Sequence, residues 1–234
     1  MTKSKASKLS SKIEHACGYC HRKYKTERGL ANHKCSIMIR LSEKETPAGR
    51  LAFKAFSDFY RRHYGSTPSY EKFANSNLYN AFLNFGKYII DIDAIDPQSY
   101  IDHMLTSNVP IDRWCKDVEY SKYVNHLIMK ETPYRGVERT LKLMENWANS
   151  HQTDLSKFFH EISAPLAVRW IMSGRISPWV LLNSDGGKSL LERLTDEQIL
   201  LIKPSLNSNV WNGKFKRHEK AAENIKATLK EGGI

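Results

Sequence analysis

Five of the eight prolines in this chain directly follow a residue of helix-capping type: Thr46-Pro47, Thr67-Pro68, Asp96-Pro97, Thr132-Pro133 and Ser177-Pro178. A proline at the first helical position gives up no intrahelical hydrogen bond, and the side-chain oxygen before it accepts an orphan amide of the first turn. Thr195-Asp-Glu-Gln198 adds a capping box ahead of Ile199, Leu200 and Leu201. The apolar spacing agrees. Leu51, Ala52, Ala55, Phe56, Phe59 and Tyr60 share one helical face that Gly65 ends; Leu78, Tyr79, Phe82, Leu83, Phe85 and Ile89 make a second stripe, and Val137, Leu141, Met144 and Ala148 a third. Gly174, after Ala167, Val168, Trp170 and Ile171, reads as a helix-ending glycine. No alternating Val/Ile/Thr run with a tight turn occurs, so nothing beyond a short hairpin is expected in strands. The spacing predicts a mainly α chain, with a compact multi-helix body over 47–234 that divides into two subdomains near 150–163.

The charge sits at one end. Lys and Arg exceed Asp and Glu by 36 to 25, a net charge of +11. Residues 1–62 hold 15 basic and five acidic side chains, residues 63–202 hold 14 and 17, and residues 203–234 hold seven and three. Such asymmetry suits contact with a polyanion through the N-terminal part. Residues 1–14, rich in Lys and Ser, read as a flexible basic arm. They lack the apolar stretch of a signal peptide, and nowhere do 18 apolar residues run together, so export and membrane insertion are not expected and the cytoplasm is. Four cysteines in 234 residues are too sparse for a disulfide scaffold.

Three of those cysteines fall within 19 residues, beside a histidine: Cys17-Gly-Tyr-Cys20, then His33-Lys-Cys35. The tight turn of a Cys-x-x-Cys pair lets two thiolates reach one tetrahedral ion. With Tyr24 and Leu30 between, the segment resembles the zinc finger that has two Cys and two His ligands, an aromatic four residues after the second Cys and a Leu three before the first His. That resemblance implies a short ββα-like finger over 15–40, with Cys17, Cys20 and His33 as zinc ligands and Tyr24 with Leu30 as its small core. The family's second His is missing, since Ile37 and Met38 stand where it would fall. Cys35 is the nearest candidate for the fourth ligand, with His15 and His21 as alternatives. Two positions at i and i+2 of a regular helix diverge by about 200°, so Cys35 can serve only if the helix ends near His33. Cys115, beside Trp114, reads as a packed thiol.

In the finger family's scheme the base-facing positions are Thr26, Gly29 and Asn32, and glycine reaches nothing. Arg22, Lys23, Lys25, Arg28, Lys34 and Arg40 surround them, which fits phosphate contact more than base readout. The expectation is a nucleic-acid-binding accessory or regulatory protein, on DNA rather than RNA, with structural zinc and no turnover. The competing readings are an assembly factor whose finger or helical body docks a protein, and a nucleic-acid-processing enzyme with an unrecognised site. Lys25 to Cys35 followed by a helical body is also similar to single-finger accessory proteins of large tailed bacteriophages, which would imply a host-cell or virion setting.

Other signals carry less. Asp185-Gly-Gly-Lys-Ser189 lacks the glycine a phosphate-binding loop needs at Leu182 and reads as a helix start. Asp91, Asp93 and Asp96 read as loop and cap residues rather than a magnesium site. Phe53, Phe56, Phe59, Tyr60 and Tyr64, near Arg61 and Arg62, combine core spacing with a composition able to stack on single-stranded bases.

Overall fold

The computed structural model describes residues 15–234, which fall into two compact units, one ending at Ile90 and one spanning Asp91–Ile234. The expected arm over 1–14 lies outside the described residues. The boundary between units stands at 90/91 rather than near 150–163, where the helices on either side pack within one unit. About 70% of the chain is helical.

The first unit opens with two strands of two residues, β1 (His15–Ala16) and β2 (Lys23–Tyr24), paired antiparallel with His15 opposite Tyr24. Five helices follow: α1 (Glu27–Ala31), α2 (Ser36–Ser42), α3 (Pro47–Tyr64), α4 (Tyr70–Ala74) and α5 (Tyr79–Asp91). Their caps are local chemistry. The Thr46 hydroxyl accepts from the Gly49 amide at 2.9 Å to start α3, and Gly65, at φ +70°, ends it in the left-handed conformation glycine adopts without strain. Thr67-Pro68 does not start a helix; Ser69 caps α4 instead, accepting from the Lys72 amide, and Pro68 sits buried in the extended segment before it.

The core of this unit is aromatic. Phe56, Phe73, Phe82 and Tyr79 are almost fully buried, with ring centroids 4.8–5.6 Å apart along the Phe82–Phe56–Phe73–Tyr79 chain. Such tilted and edge-on pairs suit the ring quadrupoles. Helices α3 and α5 meet backbone to side at Gly86, where a Cβ would stand 2.2 Å from the Ala48 carbonyl oxygen. Only glycine allows that approach.

The second unit comprises α6 (Pro97–Thr106), α7 (Asp117–Lys130), α8 (Pro133–His151), α9 (Phe158–Glu161), α10 (Ala164–Met172), α11 (Pro178–Leu181), α12 (Asp185–Glu192), α13 (Asp196–Ile202), α14 (Ser208–Arg217) and α15 (Glu219–Glu231). The Thr195–Gln198 capping box is present, and Gly174 follows α10 at φ +75°. Tyr100, Tyr123, Trp114, Trp179 and Phe158 fill its interior. Residues 185–189 begin α12 under a Ser184 cap, as an ordinary helix start. No helix among the described residues is long and apolar enough to cross a membrane.

Candidate metal centre

The hairpin turn builds the first half of the site. The Cys17 amide donates to the Arg22 carbonyl and the His21 amide to the Cys17 carbonyl, both at 2.9 Å, with His21 itself at φ +56°. This closed loop puts Cys17 and Cys20 on one side of the turn. The second half comes from α1. The Thr26 hydroxyl caps it, accepting from the Gly29 amide at 3.1 Å, and Asn32 closes it after only five residues. His33 therefore leaves the last turn, its amide bonded to the Leu30 carbonyl, and the chain is free to redirect Cys35.

The sulfurs of Cys17, Cys20 and Cys35 and a ring nitrogen of His33 lie within 4.8 Å of one another. Cys17 Sγ is 4.0 Å from Cys35 Sγ, and Cys20 Sγ is 3.2 Å from His33 Nε2. A tetrahedral ion with bonds of about 2.3 Å to sulfur and about 2.0 Å to nitrogen sets ligand edges of about 3.5–3.8 Å. The four donors lie close enough together to hold one metal ion, with separations that scatter around those edges. His15 and His21 do not join the group, so Cys35 is the fourth member.

Charge makes the same point. The Cys17 thiol is drawn below its ordinary value, first by the Cys20 and Tyr19 amides, against the opposing effect of burial. Cys20 is pulled down by the Arg22 amide but ends above its ordinary value, through burial and the neighbouring sulfurs. The neighbouring sulfurs thus oppose ionisation of Cys20, and a bound cation would relieve that conflict. The half-buried Tyr24 ring lies 4.9 Å from that of His33.

Cys35 has a second task. It is the N-cap of α2, its sulfur accepting from the Met38 amide at 3.4 Å. The centre is therefore joined directly to the helix that packs on α4. Sequence reading missed α2; the apolar run Ile37-Met-Ile39 with Leu41 was the signal available. Arg40 explains the packing. Its guanidinium donates to the Ala74 carbonyl at 2.9 Å and lies 4.7 Å from the centre of the Tyr79 ring, while its own carbonyl accepts from the Tyr70 hydroxyl at 2.9 Å.

Of the residues assigned to nucleic acid, Arg22, Lys23, Lys25, Arg28, Asn32 and Lys34 are all exposed on or beside the hairpin and α1. Arg40 is not among them in space, being half-buried and engaged within the fold. The aspartates after α5 do not converge on an ion: the Asp96 carboxylate caps α6 through the Ser99 amide at 3.2 Å, and Asp93 pairs with Arg175. Among the described residues the Cys17 group is the one cluster of three or more metal-competent side chains. Comparison with protein-family models, curated proteins and solved structures finds no match. The likeness to a zinc finger therefore rests on the spacing and closeness of the four donors, and no comparison supports the likeness to phage accessory proteins.

Proposed function

We propose that residues 15–35 form a zinc-pinned finger, and that the unit containing it binds nucleic acid through phosphates as an accessory or regulatory factor. Three thiolates and one imidazole suit zinc better than the harder cations, which prefer oxygen. The observation that carries the nucleic-acid reading is charge set against the unit boundary. Residues 15–90 hold 13 Lys and Arg against five Asp and Glu, whereas residues 91–234 hold 19 of each. The entire excess of the described chain thus lies in the unit that carries the finger. DNA is the favoured target.

Phosphate contact gives a defined signature: the log of the binding constant falls with log salt by about 0.9 per phosphate neutralised on a duplex. Anisotropy titration of a labelled 20-base-pair duplex should give a slope of about −4, and replacing Arg22, Lys25 and Lys34 with Gln should flatten it by about 2.7. A slope near zero in the intact protein would refute the reading.

One observation favours a second reading, a protein-docking finger. Tyr19, Met38 and Ile39 are 53%, 42% and 51% exposed around the centre. If the finger docks a protein, Met38→Ser with Ile39→Ser removes a partner recovered from the native cell and leaves duplex affinity unchanged. If neither changes, those side chains have no docking role.

A further inference from the structure

The last turns of α3, with α4 and the segment after it, enclose a groove of about 330 Å³. Its floor is Phe56 and Phe59, and one wall is Tyr60 followed by Tyr64, ring centroids 4.4 Å apart and tilted by 31°. The aromatic ladder runs further than the core needs. Phe56 is 3% exposed and belongs to the interior, but Tyr64 is 67% exposed on the final turn of a helix that Gly65 already terminates. Burial does not account for it.

The rim is polar and one-signed. Lys72 holds its ammonium 4.7 Å from the centre of the Tyr60 ring, Asn75 and Asn77 bring amides, and no carboxylate lines the groove. Arg61 and Arg62 are exposed on the same turn of α3, Arg61 in loose contact with Asp58 at 3.5 Å. Aromatic walls also suit cationic ligands, but here Lys72 already occupies the face of Tyr60 and would repel them. A flat, neutral ring attached to an anionic chain meets these features: it extends the tyrosine stack while its phosphates lie beside Lys72, the one charged residue lining the groove.

We propose that this groove takes one unpaired base of a single-stranded nucleic acid, stacked on Tyr64. The inference rests on the nucleic-acid reading above and specifies the form of strand the unit prefers. At about 330 Å³, near the small end of ligand pockets, the groove has the size for one base.

The test uses the full-length protein and three labelled probes: a ten-residue oligothymidylate, an abasic strand of the same length and charge, and the duplex. Stacking predicts that oligothymidylate binds roughly 5- to 150-fold tighter than the abasic strand. Tyr64→Ala should erase that preference, Tyr64→Phe should keep it, and duplex affinity should stay the same in both variants. Tyr64 is largely exposed, so neither change endangers folding. Equal affinity for thymidylate and abasic strands, or a preference that survives Tyr64→Ala, overturns the groove proposal while leaving phosphate binding intact. No binding to any of the three strands overturns both.

Discussion

Arg40→Ala separates a structural arginine from a phosphate-binding one, because the two roles predict opposite outcomes. The guanidinium donates to the Ala74 carbonyl at 2.9 Å, reaches the Ser76 carbonyl at 3.5 Å, and covers the Tyr79 ring at 4.7 Å. A hydrogen bond from a charged donor contributes about 1.5–3 kcal/mol and a partly exposed cation–π contact about 0.5–1 kcal/mol. Allowing for overlap between them, the loss should be about 2–3 kcal/mol, or roughly 30- to 150-fold in the opening equilibrium. All five tryptophans lie beyond residue 110, so indole fluorescence reports only the second unit. Hydrogen exchange read by mass spectrometry on peptides covering 36–42 and 70–79 sees the first. Those peptides should exchange faster by that factor, and Arg40→Lys, which keeps the charge but loses the planar fork, should recover only part of the loss. Because Cys35 caps the same helix, metal affinity should weaken alongside. Exchange altered by less than about threefold, together with a fall in DNA affinity, would refute this reasoning and return Arg40 to the phosphate surface.

Further outcomes follow from the same geometry. Gly86→Ala puts a Cβ 2.2 Å from the Ala48 carbonyl oxygen, backbone that cannot step aside, so it should destabilise the first unit by about 1–3 kcal/mol in denaturant titrations followed by tyrosine circular dichroism. Burial pushes the Tyr70, Tyr100 and Tyr123 phenols well above their ordinary value of 10. The folded state keeps protons that the unfolded chain gives up, so stability is full below about pH 10 and declines as pH rises beyond it; a urea midpoint unchanged from pH 9 to 11.5 would contradict this. His15→Ala and His21→Ala should each retain the metal, whereas Cys35→Ser should lose at least tenfold in affinity by chelator competition, and the reverse pattern would displace Cys35 from the site.

What the sequence made legible was mostly local. Thr46-Pro47 and the Thr195–Gln198 box work through atoms three residues apart, and both caps formed as expected. Thr67-Pro68 misled because proline is equally at home in extended chain, and Ser69 two residues on offered a better cap. The candidate donor group was legible because the turn of a Cys-x-x-Cys pair and a five-residue helix are themselves local, and because i and i+2 geometry required that helix to end if Cys35 was to join it. The task of Arg40 was not legible. Its partners are carbonyls 34 and 36 residues away, and a backbone oxygen has no sequence signature. The second role of Cys35 was hidden for a related reason: cysteine is not a usual cap, and nothing in its spacing marks the helix that follows.

The direct test of the central claim is the metal content of protein purified without added metal, paired with hydrogen exchange over residues 15–35 before and after a strong chelator. A segment this short has little apolar core, so a bound ion should supply most of its folding free energy, on the order of 10 kcal/mol. One equivalent of zinc per chain is expected, with protection across the hairpin and α1 that disappears on chelation and in Cys17→Ser. Well under one equivalent of any metal, with the same amides still protected, would contradict it.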